Sequence, residues 1–433
     1  MEQTNSAIDI KTIDSTNKSP QQSRKKLFII IGIVGAIVLI TAIVLIIVLA
    51  TRKKNNSRVN RIPSNPKTND DLSTQSIEMM IEGNDESKKV RLLQSNGNKI
   101  QIFGNNFNEL KSDEATMLIN GKNYNFDKYI SVNENTSIKV EVTFSKNITS
   151  FKEMFKGCDK IKNITLKNIQ TEKISDTSSM FEGCTSLSNI QFDNMSISNI
   201  VNSSKMFKEC SNLNKIEIEK FSTDKIKDMS EMFYGCSNFE NSSFIEGLST
   251  KNAESMNNIF SGCSKITSLN LSKFETSNVK DMSGMFKGMN NLKKLEINSF
   301  DTQKVEYMNE MFENCFSIKK LDLSNFDTEQ VINMEKMFSS CTELESIDLS
   351  SFNLKNCKNT NNMFYNTKEI LLLSITNQNI LSKLSIPSRQ RFELIIEGNA
   401  KNTGRRNLNE EKLQIFGNSF KELNSSNAII NIN

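Results

Sequence analysis

The sequence contains no histidine and no tryptophan. Without histidine there is no imidazole general base, no histidine-dependent triad and none of the commonest zinc ligand sets. An excess of either charge is also missing: 54 Lys and Arg stand against 50 Asp and Glu, a net +4. Spread along the whole chain, so small a surplus excludes the basic footprint of a nucleic-acid binder. Proline is rare, with 4 residues in all, two of which (Pro63 and Pro66) fall in one polar stretch. Phenylalanine, by contrast, is abundant at 27 residues, and Asn, Ser and Lys dominate the polar positions.

The first organising feature is Leu27 to Ala50, 24 residues with no charge and only Thr41 as a polar side chain. At helical rise this run covers about 36 Å, enough for a hydrocarbon core of about 30 Å with some tilt. It exceeds the apolar run of a cleaved signal peptide and follows a polar tail at 1–26, so it reads as an uncleaved transmembrane signal-anchor at 27–50, with cleavage after the small-residue end Val48-Leu49-Ala50 as the alternative. Arg24, Lys25 and Lys26 precede it, while Arg52, Lys53, Lys54, Arg58 and Arg61 follow, so flanking charge does not favour a cytosolic N-terminus. The preferred orientation nevertheless has the tail cytosolic and the large C-terminal part outside, as a short leading tail before one span commonly directs. The reversed topology is the alternative.

Residues 51–76 are polar and read as a flexible stalk. From 77 to 146, short alternating apolar runs such as "TMLINGKNYNF" and "TSIKVEVTF" predict a β-rich module. Part of it recurs near the end: "FELIIEGN" at 392–399 echoes "IEMMIEGN" at 77–84, and "KLQIFGNSFKEL" at 412–423 echoes "KIQIFGNNFNEL" at 99–110. A partial second copy is therefore expected at 392–433. It fits either a truncated tandem array, the favoured reading, or a C-terminal cap.

Between the two copies, over 147–376, lies a repeat. The pairs Met154-Phe155, Met180-Phe181, Met206-Phe207, Met232-Phe233, Ile259-Phe260, Met285-Phe286, Met311-Phe312, Met337-Phe338 and Met363-Phe364 recur every 26 residues, with a single interval of 27. Within a repeat, Met334, Met337, Phe338 and Cys341 have the i, i+3, i+4, i+7 spacing of one helical face. Four residues before the Met stand mostly Ser, Asp or Asn, which suit an N-cap. Three residues after it stand mostly Gly or Asn, which suit a left-handed C-cap. This predicts a helix of about two turns per repeat, too short to be stable alone. After it, Ile318, Leu321, Leu323 and Phe326 are expected to face inward, with a short strand at Leu321 and Leu323.

"ITSLNLSKFETSNVKDMSGMF" (266–286), "LDLSNFDTEQV" and the Met-Phe-x-Gly-Cys element resemble the repeat of BspA-like leucine-rich-repeat surface proteins. The resemblance covers about 147–375 and implies a surface-displayed binding or adhesion solenoid without catalysis. The expected fold class is an α/β solenoid, a leucine-rich-repeat-like, right-handed stack of nine 26-residue strand–short-helix repeats. A small β-rich module and a single transmembrane helix precede it.

Seven of the 8 cysteines share one position: Cys158, Cys184, Cys210, Cys236, Cys263, Cys315 and Cys341. Met289 and Thr367 replace it elsewhere, and a straight stack of thiols neither converges on a metal nor brings β-carbons to disulfide distance. Packing is the expected role for these cysteines, for Cys357 and for the repeat methionines. No catalytic, cofactor or metal site is expected. The working surface is instead the outward strand position, Thr165, Gln191, Glu217, Asn270, Glu296, Asp322 and Asp348. Glu217, Glu296, Asp322 and Asp348 with Lys294 and Lys320 form the candidate binding face, although a solvated charge ladder is the favoured reading of the same pattern. Asn-x-Ser/Thr sequences at Asn135, Asn147, Asn163, Asn194, Asn202, Asn241 and Asn270 mark N-glycosylation candidates. The functional expectation is a single-pass plasma-membrane protein, C-terminal part extracellular, that binds a protein or surface ligand through its solenoid. Neither nucleic acid nor a small-molecule substrate is expected, and the alternative is a membrane-tethered intracellular scaffold.

Overall fold

Identical residues at a fixed interval build identical coils, and here they stack into a β-solenoid. The computed structural model describes residues 74–82, 99–131, 137–368, 370–375, 383–384, 391–396 and 428–431. The expected tail, the span at 27–50, nearly all of the stalk, most of 392–433 and Asn135 lie outside the described residues. Among the described residues no helix is long and apolar enough to cross a membrane.

The invariant Phe residues form the spine. Phe155, Phe181, Phe207, Phe233, Phe260, Phe286, Phe312, Phe338 and Phe364 are buried and stack in sequence, with neighbouring ring centroids 5.3 to 6.2 Å apart. The two widest gaps, 6.1 and 6.2 Å, flank Phe260, where the repeat carries its extra residue. Ile318, Leu321, Leu323 and Phe326 face the core as expected, and the repeat Met residues are buried with them.

The short helix expected at each Met-Phe pair is not there. Its place is taken by successive tight turns, and the reason is visible in the backbone. The residue before each Met is left-handed, from Glu153 (φ 54) through Lys336 (φ 53) to Asn362 (φ 57). So is the residue three after it, from Gly157 (φ 77) through Asn314 (φ 62) to Asn366 (φ 55). A left-handed residue every fourth position forbids a helix. Alternate N–H groups then divide their bonding. Those of Met154, Lys156 and Cys158 close turns on the carbonyls of Phe151, Glu153 and Phe155. Those of Phe151, Glu153, Phe155 and Gly157 reach the next coil's Asp176, Ser178, Met180 and Glu182 carbonyls. A helix would have spent every N–H within its own coil; the turn ridge spends half of them on stacking. The Asp and Asn residues expected as helix caps do cap, but they cap turns: Asp176 and Asn202 accept from the N–H two residues on, at 2.8 and 2.9 Å. The one α-helix among the described residues, α1 (Ser242–Glu246), lies in the longer repeat.

The β-rich module and the solenoid share a sheet. The module contributes β1 (Gln75–Ile81), β2 (Lys99–Gln101), β3 (Ala115–Ile119), β4 (Lys122–Asn125), β5 (Tyr129–Ser131) and β6 (Ile138–Phe144). The first repeats contribute β7 (Ile161–Lys167), β8 (Asn189–Ile197) and β9 (Lys215–Phe221), and the order is β4-β3-β6-β1-β7-β8-β9. β1 runs antiparallel to β7, whereas β7, β8 and β9 are parallel. Farther along, β10 (Ser268–Asn270) pairs with β11 (Lys294–Glu296). β12 (Lys320–Asp322) and β13 (Ser346–Asp348) continue into β14 (Ile370–Ile375), β15 (Arg391–Ile396) and β16 (Ala428–Asn431), all parallel.

The module also extends the Phe spine. Phe103 lies 5.4 Å from Phe155, centroid to centroid, and is itself packed by Phe107 and Phe126. Gly104 N–H donates to the Met154 carbonyl at 2.8 Å. A side chain at Gly104 would land on the Glu153 carbonyl oxygen, so only glycine permits this approach.

Candidate binding face

The outward strand positions follow from the two-residue period of a strand whose alternate residues feed the core. Leu321 and Leu323 are buried, which turns Asp322 outward between them. Parallel in-register pairing then sets Asp322 opposite Asp348, Asn270 opposite Glu296, and Gln191 opposite Glu217. The row of outward positions is divided, because β9 is not paired to β10, nor β11 to β12. The candidate residues therefore occupy three blocks.

Their charges have local partners. Lys294 pairs with Glu296 at 2.6 Å, which raises the Lys294 pKa, and Glu217 pairs with Lys215 two residues earlier on the same strand. Asp322 accepts from the Ser324 hydroxyl at 2.6 Å and its N–H at 3.1 Å, and these bonds hold its carboxyl below the ordinary range. Asp348 accepts from the Ser350 N–H at 2.8 Å. Lys320 is exposed and has no ion-pair partner among the described residues. Two acidic positions thus hold turns, and two sit in ion pairs with a strand neighbour. The Lys215 and Ser324 roles were missed from the sequence. The signal for Ser324 was present in the recurring Asp-Leu-Ser, whose two-residue offset is that of an Asx turn.

The glycosylation candidates divide by engagement. The Asn194 amide donates to Asn168 at 2.7 Å, while Asn202 and Asn241 accept from Ser204 and Ser243 through their side-chain oxygens. Asn163 accepts from Asn189 and Asn270 from the Ser272 N–H, both at the strand face. Asn147 is exposed and accepts from Gln75 at 3.4 Å.

The thiols pack as expected. The shared cysteine position is fully buried, and from Cys184 onward each of these thiols donates to the Phe carbonyl of the preceding repeat, at 3.0 to 3.2 Å. Burial pushes Cys263 and Cys315 up to about 12. Cys357 departs from expectation: it is only half-buried and bonds weakly to the Asn359 carbonyl at 3.5 Å.

No curated protein matches this sequence closely. A family model described as "Mycoplasma protein of unknown function, DUF285" matches twice, over residues 149–268 and 254–378, together more than half of the chain. The chain belongs to the DUF285 family.

Proposed function

We propose that this is a single-pass cell-surface protein whose solenoid binds a protein or another surface ligand, and that it is not an enzyme. One observation carries the reading. The repeats devote their invariant residues to packing, while the outward strand position changes chemistry from Thr165 and Gln191 to Glu217, Asn270, Glu296, Asp322 and Asp348. A rigid stack with a variable outer row is how repeat scaffolds recognise extended partners. DUF285 membership is consistent with the BspA-like adhesion reading, and the apolar run at 27–50 supports membrane attachment. In this reading Lys294 and Lys320 are the contact cations, and Asn147, Asn194 and Asn270 are the exposed glycan acceptors.

The test has two arms. Protease applied to intact cells expressing the full chain with a C-terminal tag should remove the tag; survival until permeabilisation would instead favour the intracellular scaffold. Binding of the purified chain to immobilised extracellular proteins should fall when Lys294→Glu and Lys320→Glu are combined. Unchanged binding would remove this face from the proposal.

A further inference from the structure

The sheet that joins the module to the solenoid ends on β4, and no strand among the described residues pairs with β4's outer edge. The phase of that edge follows from the turn before it. Asn120 and Gly121 are both left-handed (φ 48 and 79), as an Asn-Gly hairpin turn requires, and they set Ile119 opposite Lys122. The Asn120 N–H donates to Lys139 in β6, so by strand alternation Ile119 and Met117 turn their backbone groups toward β4. Lys122 and Tyr124 answer them. The N–H and C=O groups of Asn123 and Asn125 therefore point out of the sheet, where neither residue has a backbone partner among the described residues, and all of β4 is exposed.

The side chains carry a second signal. Tyr124 lies across from Met117, on the face that Ala115, Met117 and Ile119 turn into the core. Met117 is buried, yet Tyr124 is 51% exposed, because the sheet stops there. Open edges are commonly blunted by a central charge, a proline or a bulge. β4 has no proline and no shift of register, and its one charge, Lys122, stands at its first position.

We propose that β4 pairs with β4 of a second copy of this chain, antiparallel about a twofold axis at Tyr124. An edge strand paired with itself closes by symmetry and needs no complementary surface elsewhere on the molecule. With Tyr124 opposite its own copy, Asn123 stands opposite the second copy's Asn125, and the outward groups of each such pair exchange both bonds. Side chains select this register. The two Tyr124 residues meet as a non-hydrogen-bonded pair, where side chains approach most closely, and each covers the other's exposed ring. Lys122 falls opposite Phe126 of the second copy, which leaves the two ammoniums about 13 Å apart along the strands, beyond a Debye length of about 8 Å. A register that set Lys122 opposite itself would bring like charges together. An unrelated strand would gain the backbone bonds without the paired tyrosines, so the second copy is the better occupant. The contact lies at the end of the sheet away from β7, β8 and β9 and does not involve the outward strand positions.

The test uses the full chain in detergent, single added cysteines and a mild thiol oxidant. The unsubstituted chain sets the background due to Cys357. Tyr124→Cys should give a disulfide-linked dimer on a non-reducing gel, whereas Lys122→Cys should stay near background, because only position 124 meets itself. Adding Asn123→Pro to Tyr124→Cys removes an outward N–H and leaves the bonds to β3 in place, so the dimer yield should fall roughly tenfold or more. A denaturant melt shows whether that variant is folded; where it is not, Asn125→Pro removes the other outward N–H, and the comparison of positions 122 and 124 stands without either. Equal yields at 122 and 124, or a yield that proline leaves unchanged in a folded chain, would overturn the proposal. So would the absence of a dimer at 124, the outcome if the edge serves a foreign strand.

Discussion

The Cys315 thiol donates to the carbonyl oxygen of Phe286, 3.1 Å away in the preceding coil. The same geometry recurs along the stack, so these thiols are hydrogen-bond donors sealed inside the core. In the native protein, Cys357 should react with a thiol reagent first, while the buried cysteines should react only on unfolding. Fewer than eight thiols in the denatured, unreduced chain would contradict the free state of all eight.

Their titration sets a pH dependence. Unfolded thiols lose their protons near 8.5, whereas Cys263 and Cys315 hold theirs to about 12. Above pH 8.5 the folded state therefore binds more protons than the unfolded one, and stability falls as pH rises. The contribution is complete below about pH 8.5 and lost progressively up to about pH 12. Urea midpoints measured at pH 7.5 and pH 10.5 should show the decline, and Cys263→Ala/Cys315→Ala should flatten part of it.

The turn ridge can be told from a helix by one residue. Lys336 has φ 53 and its N–H donates to Asn361 in the next coil. At a left-handed position Lys336→Gly should be neutral or stabilising, and Lys336→Val should cost about 1–2 kcal/mol. In a helix the order would reverse for glycine, which there costs up to about 1 kcal/mol. Denaturant melts of the two variants distinguish the cases.

That test also locates where sequence reasoning stopped. The period, the inward Leu321 and Leu323, the Phe spine and the cysteine packing were legible because burial repeats with the chain's own interval. The helix was a misreading with a physical cause: consecutive four-residue turns place Met334, Met337, Phe338 and Cys341 on one side just as a helix does. The discriminating signal lay at the position before the Met, occupied by Glu153, Ser179, Lys205, Glu231, Asn258, Gly284, Glu310, Lys336 and Asn362, where no β-branched or aromatic residue ever stands. The division of the outward row into blocks was not legible, since unpaired strands leave the period intact.

The Phe spine should fail unevenly. Phe312 stacks on Phe286 at 5.4 Å and Phe338 at 5.7 Å, while Phe260 has its neighbours at 6.1 and 6.2 Å. Phe312→Ala should cost about 3–5 kcal/mol, and Phe260→Ala should fall at the lower end of that range. Thermal denaturation of the two variants tests the ordering; a larger loss at Phe260 would show that ring spacing does not govern the spine.

Gly104 decides whether the module caps the solenoid or merely precedes it. Its N–H bond to Met154 requires an approach that no β-carbon permits, and Phe103 beside it rests on Phe155. Gly104→Ala must therefore push the module off the first coil, opening the Met154 carbonyl and uncovering one face of the Phe155 ring. The β1–β7 pairing would remain as a hinge, because Ser76 to Ile81 are bonded along β7 independently of Gly104. Limited proteolysis should consequently cut Gly104→Ala first near residues 145–155, with the later coils still resistant. Hydrogen exchange should show faster exchange in the first coil than in those around Phe312. If the variant instead unfolds in one step with the whole stack, the module is part of a single cooperative unit and the first coil cannot hold its fold without it.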